Sequence, residues 1–330
     1  ASGTVQNQSA FKNIIINGDM SVAQRSTSTS SITTDGFYSC DRWKLDIGSF
    51  GTWTQSQDSD VPSGYGFSKS LKMDCTTAQG SPGSSNAITY DYSVEGQNLQ
   101  YLKWGTSSAE QVTLSFWHKH TKTGLNIVEL LDSDNADAVS GSYTQSVSNT
   151  WEKATIVYPA KTSGALDNDN ARSLRIRITI AAGSNYTSGT LATTWQSSIT
   201  NANRLAGQVN NADSTSNNFI ITGVQLEAGT SASDFEVLPF DINLLRCQRY
   251  FFQFLAQKYM YAINSGNTYS RYTVSFPVQM RTTPTTTVAY SNNGTGHGVQ
   301  FENANDVTLF VNGRGSSETQ INSGSFVAEI

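Results

Sequence analysis

The sequence predicts an all-β protein: a jelly-roll antiparallel β-sandwich followed by a smaller β-rich C-terminal domain. Three observations carry this. Short segments alternate apolar and polar residues, most strictly Leu174 to Ile180 (LRIRITI) and Val112 to His120 (VTLSFWHKH). Loops rich in Gly, Ser, Thr and Asn separate these segments at near-regular spacing. Only one short helical signal interrupts them, Asp241 to Gln248 (DINLLRCQ), in the stretch Gln225 to Phe252 that reads as a hinge between two β domains. About ten strands before that hinge suit a sandwich of the jelly-roll kind.

Taken in order, residues 1–10 read as a polar N-terminal arm, 11–240 as the sandwich and 241–330 as the second domain. The β-branched run Ile14-Ile15-Ile16 stops at the turn dipeptide Asn17-Gly18. Gln24 to Thr34 is Ser/Thr-rich and is expected to be loop. Trp43 to Ile47, Trp53 to Gln57, Phe67 to Cys75 and Ala87 to Tyr92 are expected strands. Gln97 to Trp104 fits either a turn of helix or a loop. In Val112 to His120, Val112, Leu114 and Phe116 face inward, and Thr113, Ser115, Trp117 and Lys119 outward. Asn126 to Leu131 and Trp151 to Tyr158 follow, then Leu174 to Ile180 with Arg175 and Arg177 expected in solvent. Asn185 to Asn217 is polar and irregular, and Asn218 to Leu226 closes the sandwich.

Asp241 is the expected N-cap of the helix. Beyond it, Tyr250 to Ile263 is strongly aromatic and reads as strand with a bulge or turn inside. Tyr272 to Val278, Thr285 to Tyr290, Gly298 to Phe301, Asp306 to Val311 and Ser325 to Glu329 are the remaining expected strands. So aromatic a segment in so small a domain favours oligomerisation.

Composition narrows the function. Charged residues make up 14% of the 330, against about 25% typically. A net charge of −5 with no Lys/Arg cluster argues against nucleic acid as a partner. No apolar run approaches the ~20 residues of a membrane span, and no signal peptide opens the sequence. Cys40, Cys75 and Cys247 cannot all pair and match no zinc spacing, so buried free thiols are expected.

Several residues have side chains that can carry chemistry. His118 and His120 share one strand face, but no third metal ligand accompanies them. Asp132, Asp134 and Asp137 lie in an acidic loop that a structural calcium would suit, although the glycine and distal glutamate of an EF-hand are absent. Asp167 to Asn170 is similar, and solvated turns are the preferred reading of both. No nucleophile elbow, metalloprotease helix or phosphate loop occurs, so no catalytic residues are assigned and a non-enzymatic protein is expected. Aromatic faces are the better clue, because they stack on sugar rings while Asn, Gln and Ser reach hydroxyls. Trp53, Tyr65, Trp117, Trp195, Tyr269 and Tyr290 are candidates. For the ligand site the choice falls on C-terminal loops and their neighbours, Tyr269, Tyr272, Tyr290, Asn292 and Asn293.

The segments NIIINGDMSVAQRST from Asn13 and YSCDRW at Tyr38 to Trp43 resemble the start of a jelly-roll family of bacteriophage tail-fibre and other virion proteins. VTLSFWHK at Val112 to Lys119, Thr194 to Glu236 and LPFDINLLRCQRYF at Leu238 to Phe251 are similar to its middle, closing and exit segments, with Asn243-Leu244 where the family usually has Glu-Leu. VSFPVQMRTTPT from Val274 and the terminal FVAEI resemble the small tip domain that follows in such fibres. The resemblance implies a virion tail protein released by lysis, a homotrimer contacting other tail proteins, and a tip that meets a host surface glycan. It implies no catalytic set and no cofactor. A structural virion part without a host ligand, such as a capsid decoration or tail adaptor, and a glycan depolymerase are the alternatives.

Overall fold

In the computed structural model, which describes residues 11–254, 258–262, 269–291, 297–312 and 317–330, the chain divides between Leu238 and Pro239 into two units. The sequence-based boundary lay two residues later. The N-terminal arm falls outside the described residues.

The first unit is a jelly-roll sandwich of two antiparallel sheets. One sheet has six strands in the order β1 (Ser28–Ile32), β4 (Thr52–Asp58), β5 (Ser70–Thr77), β13 (Asn218–Ala228), β7 (Val112–His120) and β10 (Glu152–Tyr158). The other has seven, in the order β12 (Gln196–Ser197), β9 (Asp137–Gln145), β8 (Gly124–Asp132), β11 (Arg172–Ala182), β6 (Ala87–Glu95), β3 (Lys44–Ile47) and β2 (Gly36–Phe37). Alternation puts one apolar row of each strand between the sheets. Aromatic rings bridge the layers there: Phe219 of β13 meets Tyr90 of β6 at 6.3 Å, and Phe116 of β7 meets Tyr143 of β9 at 4.9 Å.

The motif residues near the N-terminus knit the sandwich together. Asn17 takes a left-handed φ of 58°, tolerable for asparagine. Its amide donates to the carbonyls of Val22 and Asp41, and its oxygen accepts from Val22 N. Trp43 is fully buried and donates to the Asn17 carbonyl at 3.2 Å. Arg42, also buried, donates to Ser93 O and lies over the Tyr92 ring. At the other end, the Glu236 carboxylate accepts from the amides of Phe11, Lys12 and Asn13. These pairings join the two ends of the unit.

Several expectations are corrected. Gln24 to Thr34 is not all loop: β1 lies within it, held by backbone bonds to β4 rather than by an apolar face. β9 was missed because its Ala, Ser and Gly residues carry no apolar alternation, yet it pairs with β8 along its whole length. Gln97 to Trp104 resolves into two short 3-10 turns. Thr113 and Ser115 occupy the outer face but are buried; Thr113 Oγ1 donates to Gly229 O at 2.8 Å. All three cysteines are buried and free, and burial raises the pKa of Cys40 and Cys75, which makes them poor nucleophiles.

The second unit opens with a helix, Phe240–Gln248, whose N-cap is Pro239. Asp241 therefore sits within the first turn, where a carboxylate favours the helix dipole, and is not the cap. Two antiparallel sheets follow. In one, the long β20 (Ser317–Val327) pairs with β14 (Phe251–Phe254), β15 (Lys258–Ala262) and β17 (Thr285–Ser291). In the other, β19 (Asp306–Asn312) lies between β16 (Tyr269–Ser275) and β18 (His297–Glu302). The aromatic segment from Tyr250 thus supplies two strands that pair with successive stretches of β20. Val274, Phe276, Met280, Val307, Leu309, Ile321 and Phe326 form the core. Among the described residues, no helix is long and apolar enough to cross a membrane.

Candidate functional site

On the outer face of the six-stranded sheet, Trp117 of β7 projects beside Thr222 of β13 and Lys153 of β10, its register partners. The loop between β4 and β5 lays Tyr65 against it, ring centroids 4.2 Å apart at 47°. Tyr65 remains 59% exposed. The loop is built to do this. Gly64 and Gly66 flank the tyrosine with φ of +85° and +78°, a region open to glycine at no steric cost. Phe67 anchors the loop by packing over Gly223 and edge-on to Phe235, centroids 5.1 Å apart.

Polar groups border the aromatic pair. Asp60 accepts from Lys119 Nζ at 2.7 Å and from Trp151 Nε1 at 3.0 Å. Burial opposes ionisation of Asp60, but these two donors hold its carboxyl below the usual range. The result is a surface with one open tyrosine face, a half-buried tryptophan and, two residues along β7, the Lys119–Asp60 ion pair. Apolar ring faces beside hydrogen-bonding groups suit the C–H patches and hydroxyls of a sugar.

The other residues chosen from the sequence lie elsewhere. Trp53 is fully buried and donates to Phe50 O, so it is no stacking platform. Trp195 is half-buried, edge-on to Trp104 at 5.2 Å, and donates to Pro159 O. Tyr272 and Tyr290 pack against the core of the second unit, and the Tyr290 ring also lies tilted against His297, centroids 4.1 Å apart. Tyr269 lies in β16, and its side chain is outside the described set; Asn292 and Asn293 fall outside the described residues. Among the described candidates, Tyr65 and Trp117 are in direct ring contact. Asp60, Lys119 and Trp151 were not singled out from the sequence; an aspartate in a Gly/Ser loop gives no sign of what it will meet.

His118 and His120 are core residues. His118 Nδ1 lies 2.8 Å from Gln145 Oε1, which also accepts from His120 N, so His118 is the donor. His120 stacks on Phe219 at 3.7 Å and its Nε2 lies 2.9 Å from Tyr143 Oη. Burial lowers the pKa of both. The acidic loop has its own counterion: Lys161 Nζ lies 2.8 Å from Asp132 and 2.9 Å from Asp137, while Asp134 accepts from Asp167 N. Among the described residues, no three His, Cys, Asp or Glu side chains are grouped to hold a metal.

Arg175 and Arg177 of β11, expected in solvent, are instead paired. Arg175 bonds Asp46 at 2.8 Å and Asp91; Arg177 lies 3.5 Å from Asp91 and 3.6 Å from Glu129. Arg204 completes the row with two bonds to Glu129 of 2.6 and 2.7 Å.

No protein-family model matches the chain, and neither does any curated protein sequence. Solved structures that are similar include the enzymatically active domain of tailspike protein 4 from bacteriophage CBA120, at 17% identity and a TM-score of 0.35, covering 67% of this chain and 22% of that one. A putative sugar binding protein from Bacteroides thetaiotaomicron is similar at 10% identity and a TM-score of 0.33, covering 66% of this chain and 100% of that one. TmCBM61 in complex with β-1,4-galactotriose is similar at 11% identity and a TM-score of 0.31, covering 66% and 99%.

Proposed function

We propose that this is a non-enzymatic carbohydrate-binding protein whose Tyr65–Trp117 face stacks on the sugar rings of a bacterial surface glycan. The observation that carries the reading is Tyr65 itself: a large exposed aromatic, flanked by two left-handed glycines and supported by a second ring. An open face suits an internal stretch of a long polymer, which can pass across it. The segments resembling phage fibre proteins, from Asn13 to the terminal FVAEI, favour a place on a virion tail as a host-attachment homotrimer acting outside the cell. A decoration or adaptor part without a host ligand is the second reading, since those segments knit the fold rather than form the surface.

The test is binding of purified host surface polysaccharide by calorimetry. Tyr65→Ala and Trp117→Ala should each weaken it at least about tenfold, or 1.4 kcal/mol, at unchanged melting temperature. Variants that bind like the parent would overturn the reading. Release of reducing ends from the polysaccharide would show an enzyme instead, and immunogold labelling of virions tests the tail location.

A further inference from the structure

The outer face of the seven-stranded sheet holds a cleft of about 270 Å³. That is near the small end of ligand clefts, roughly 300–1,000 Å³. We infer that it is a second binding site, distinct from the Tyr65 face, and that it takes one neutral sugar ring.

The floor is polar. Asp46 of β3, Thr89 of β6 and Arg177 of β11 line it side by side on adjacent strands. Arg177 Nε has no hydrogen-bond partner in the buried floor, although the Asp91 carboxylate lies at 3.5 Å. Asp46 commits one oxygen, Oδ2, to Arg175. The partly exposed Arg177 guanidinium and Asp46 carboxylate therefore offer planar donors and acceptors, the groups that engage vicinal hydroxyls and a ring oxygen.

One wall is apolar and held in place. The segment after β11 folds back over the sheet as α1 (Ser184–Thr187) and a 3-10 turn, Asn201–Asn203. It is pinned by Leu205 N to Tyr186 O at 2.9 Å and by Ser140 Oγ to Arg204 O at 2.6 Å. Leu205 belongs to a small buried cluster with Ile127 and Ala182, against which Tyr186 and Ala87 pack. Tyr186, Leu205 and Ala87 face the cleft. A cleft with fixed apolar walls and a hydrogen-bonding floor has the two-sided chemistry of a pyranose.

Charge decides against an ionic ligand. Arg175, Arg177 and Arg204 stand against Asp46, Asp91 and Glu129, three charges of each sign in one row of contacts. Lys44, opposite Asp91 on β3, is matched by Asp35 at 3.8 Å. A carboxylate or phosphate would bring a further negative charge beside Asp46, Asp91 and Glu129, whose charges the three arginines already balance, whereas a neutral polyol adds none. The enclosed volume suits a chain end or a branch, in contrast to the open Tyr65 face.

The test follows backbone amides of Gly48, Ala87 and Leu205 by nuclear magnetic resonance in the full chain. The probes are methyl α-D-glucopyranoside, methyl β-D-galactopyranoside and N-acetylglucosamine, each raised well past a Kd on the order of 1 mM, the affinity expected of one ring. At least one should shift these amides saturably. Ser85→Phe, which places a ring at the exposed rim, should abolish the shifts, and Tyr65→Ala should leave them intact. Silence with all three sugars would overturn the inference. So would shifts produced by glucuronate or inorganic phosphate but not by the neutral sugars, shifts retained in Ser85→Phe, or shifts lost in Tyr65→Ala. Because Tyr65→Ala is the variant that removes binding at the other face, the two readings fail separately.

Discussion

Lys161 Nζ lies 2.8 Å from Asp132 Oδ2, and the two side chains are 1% and 0% exposed. Removing the ammonium leaves the buried Asp132 carboxylate, still bonded by Asp134 N, Asn135 N and Asn135 Nδ2, without the counterion it shares with Asp137. Lys161→Met is expected to cost about 3–5 kcal/mol, the usual penalty for an unpaired buried charge. Burial alone would lower the lysine pKa, but the bonds to Asp132 and Asp137 prevail and raise it above 10.5. Its contribution is therefore complete below pH 10.5 and lost as pH rises through the folded value. Denaturant melts of parent and variant across that range check this. Calcium and a chelator should both leave the melting temperature unchanged, since the ammonium already occupies the space between these carboxylates.

Acid should act through His118 and His120. Both are buried and have pKa values below the ordinary 6.5. Between their folded values and 6.5 the unfolded chain binds protons that the native chain does not. Their contribution is thus complete above pH 6.5 and lost as pH falls below it, by up to about 1.4 kcal/mol per pH unit for each histidine. His120→Phe should flatten that slope, read from urea melts between pH 4 and 8 (values on the order of the range where histidine and carboxylates titrate). A parent whose stability is level across this range would contradict the assignment.

Gly223 supports the binding face from beneath. Its φ is +62°, and an added Cβ would meet the Phe67 ring at 2.5 Å. Gly223→Ala should cost about 1–2 kcal/mol from backbone strain alone. By displacing Phe67 it should also weaken polysaccharide binding, which calorimetry and a thermal melt would read together. Tyr290→Ala is the contrasting variant: it should loosen the second unit, where the ring packs on the core, and leave that binding unchanged.

Trimerisation is expected of the intact chain. Phe301 on edge strand β18 is 63% exposed, an apolar ring open to a partner chain. Sedimentation equilibrium should give about three chain masses, and Phe301→Ser should shift the balance toward monomer. A parent that sediments as a monomer at micromolar concentration would rule this out.

The amino-acid sequence by itself determined the all-β class, the strand-forming segments with strong alternation and the helix near the domain junction. Leu174 to Ile180 is legible because period-two alternation directly encodes which side of a sheet each residue faces. That signal is silent about what covers the other side. Arg175 and Arg177 look solvated in the sequence, yet carboxylates on three other strands, Asp46, Asp91 and Glu129, pair them. β1 and β9 escaped because their places are fixed by backbone pairing to neighbours, which any small polar residue can supply. Tyr65 and Trp117 were each visible as aromatic candidates, as was Trp53. Only the tertiary structure buried Trp53 and laid Tyr65 on Trp117, because contact between residues far apart along the chain depends on how the sheets pair and the loops return.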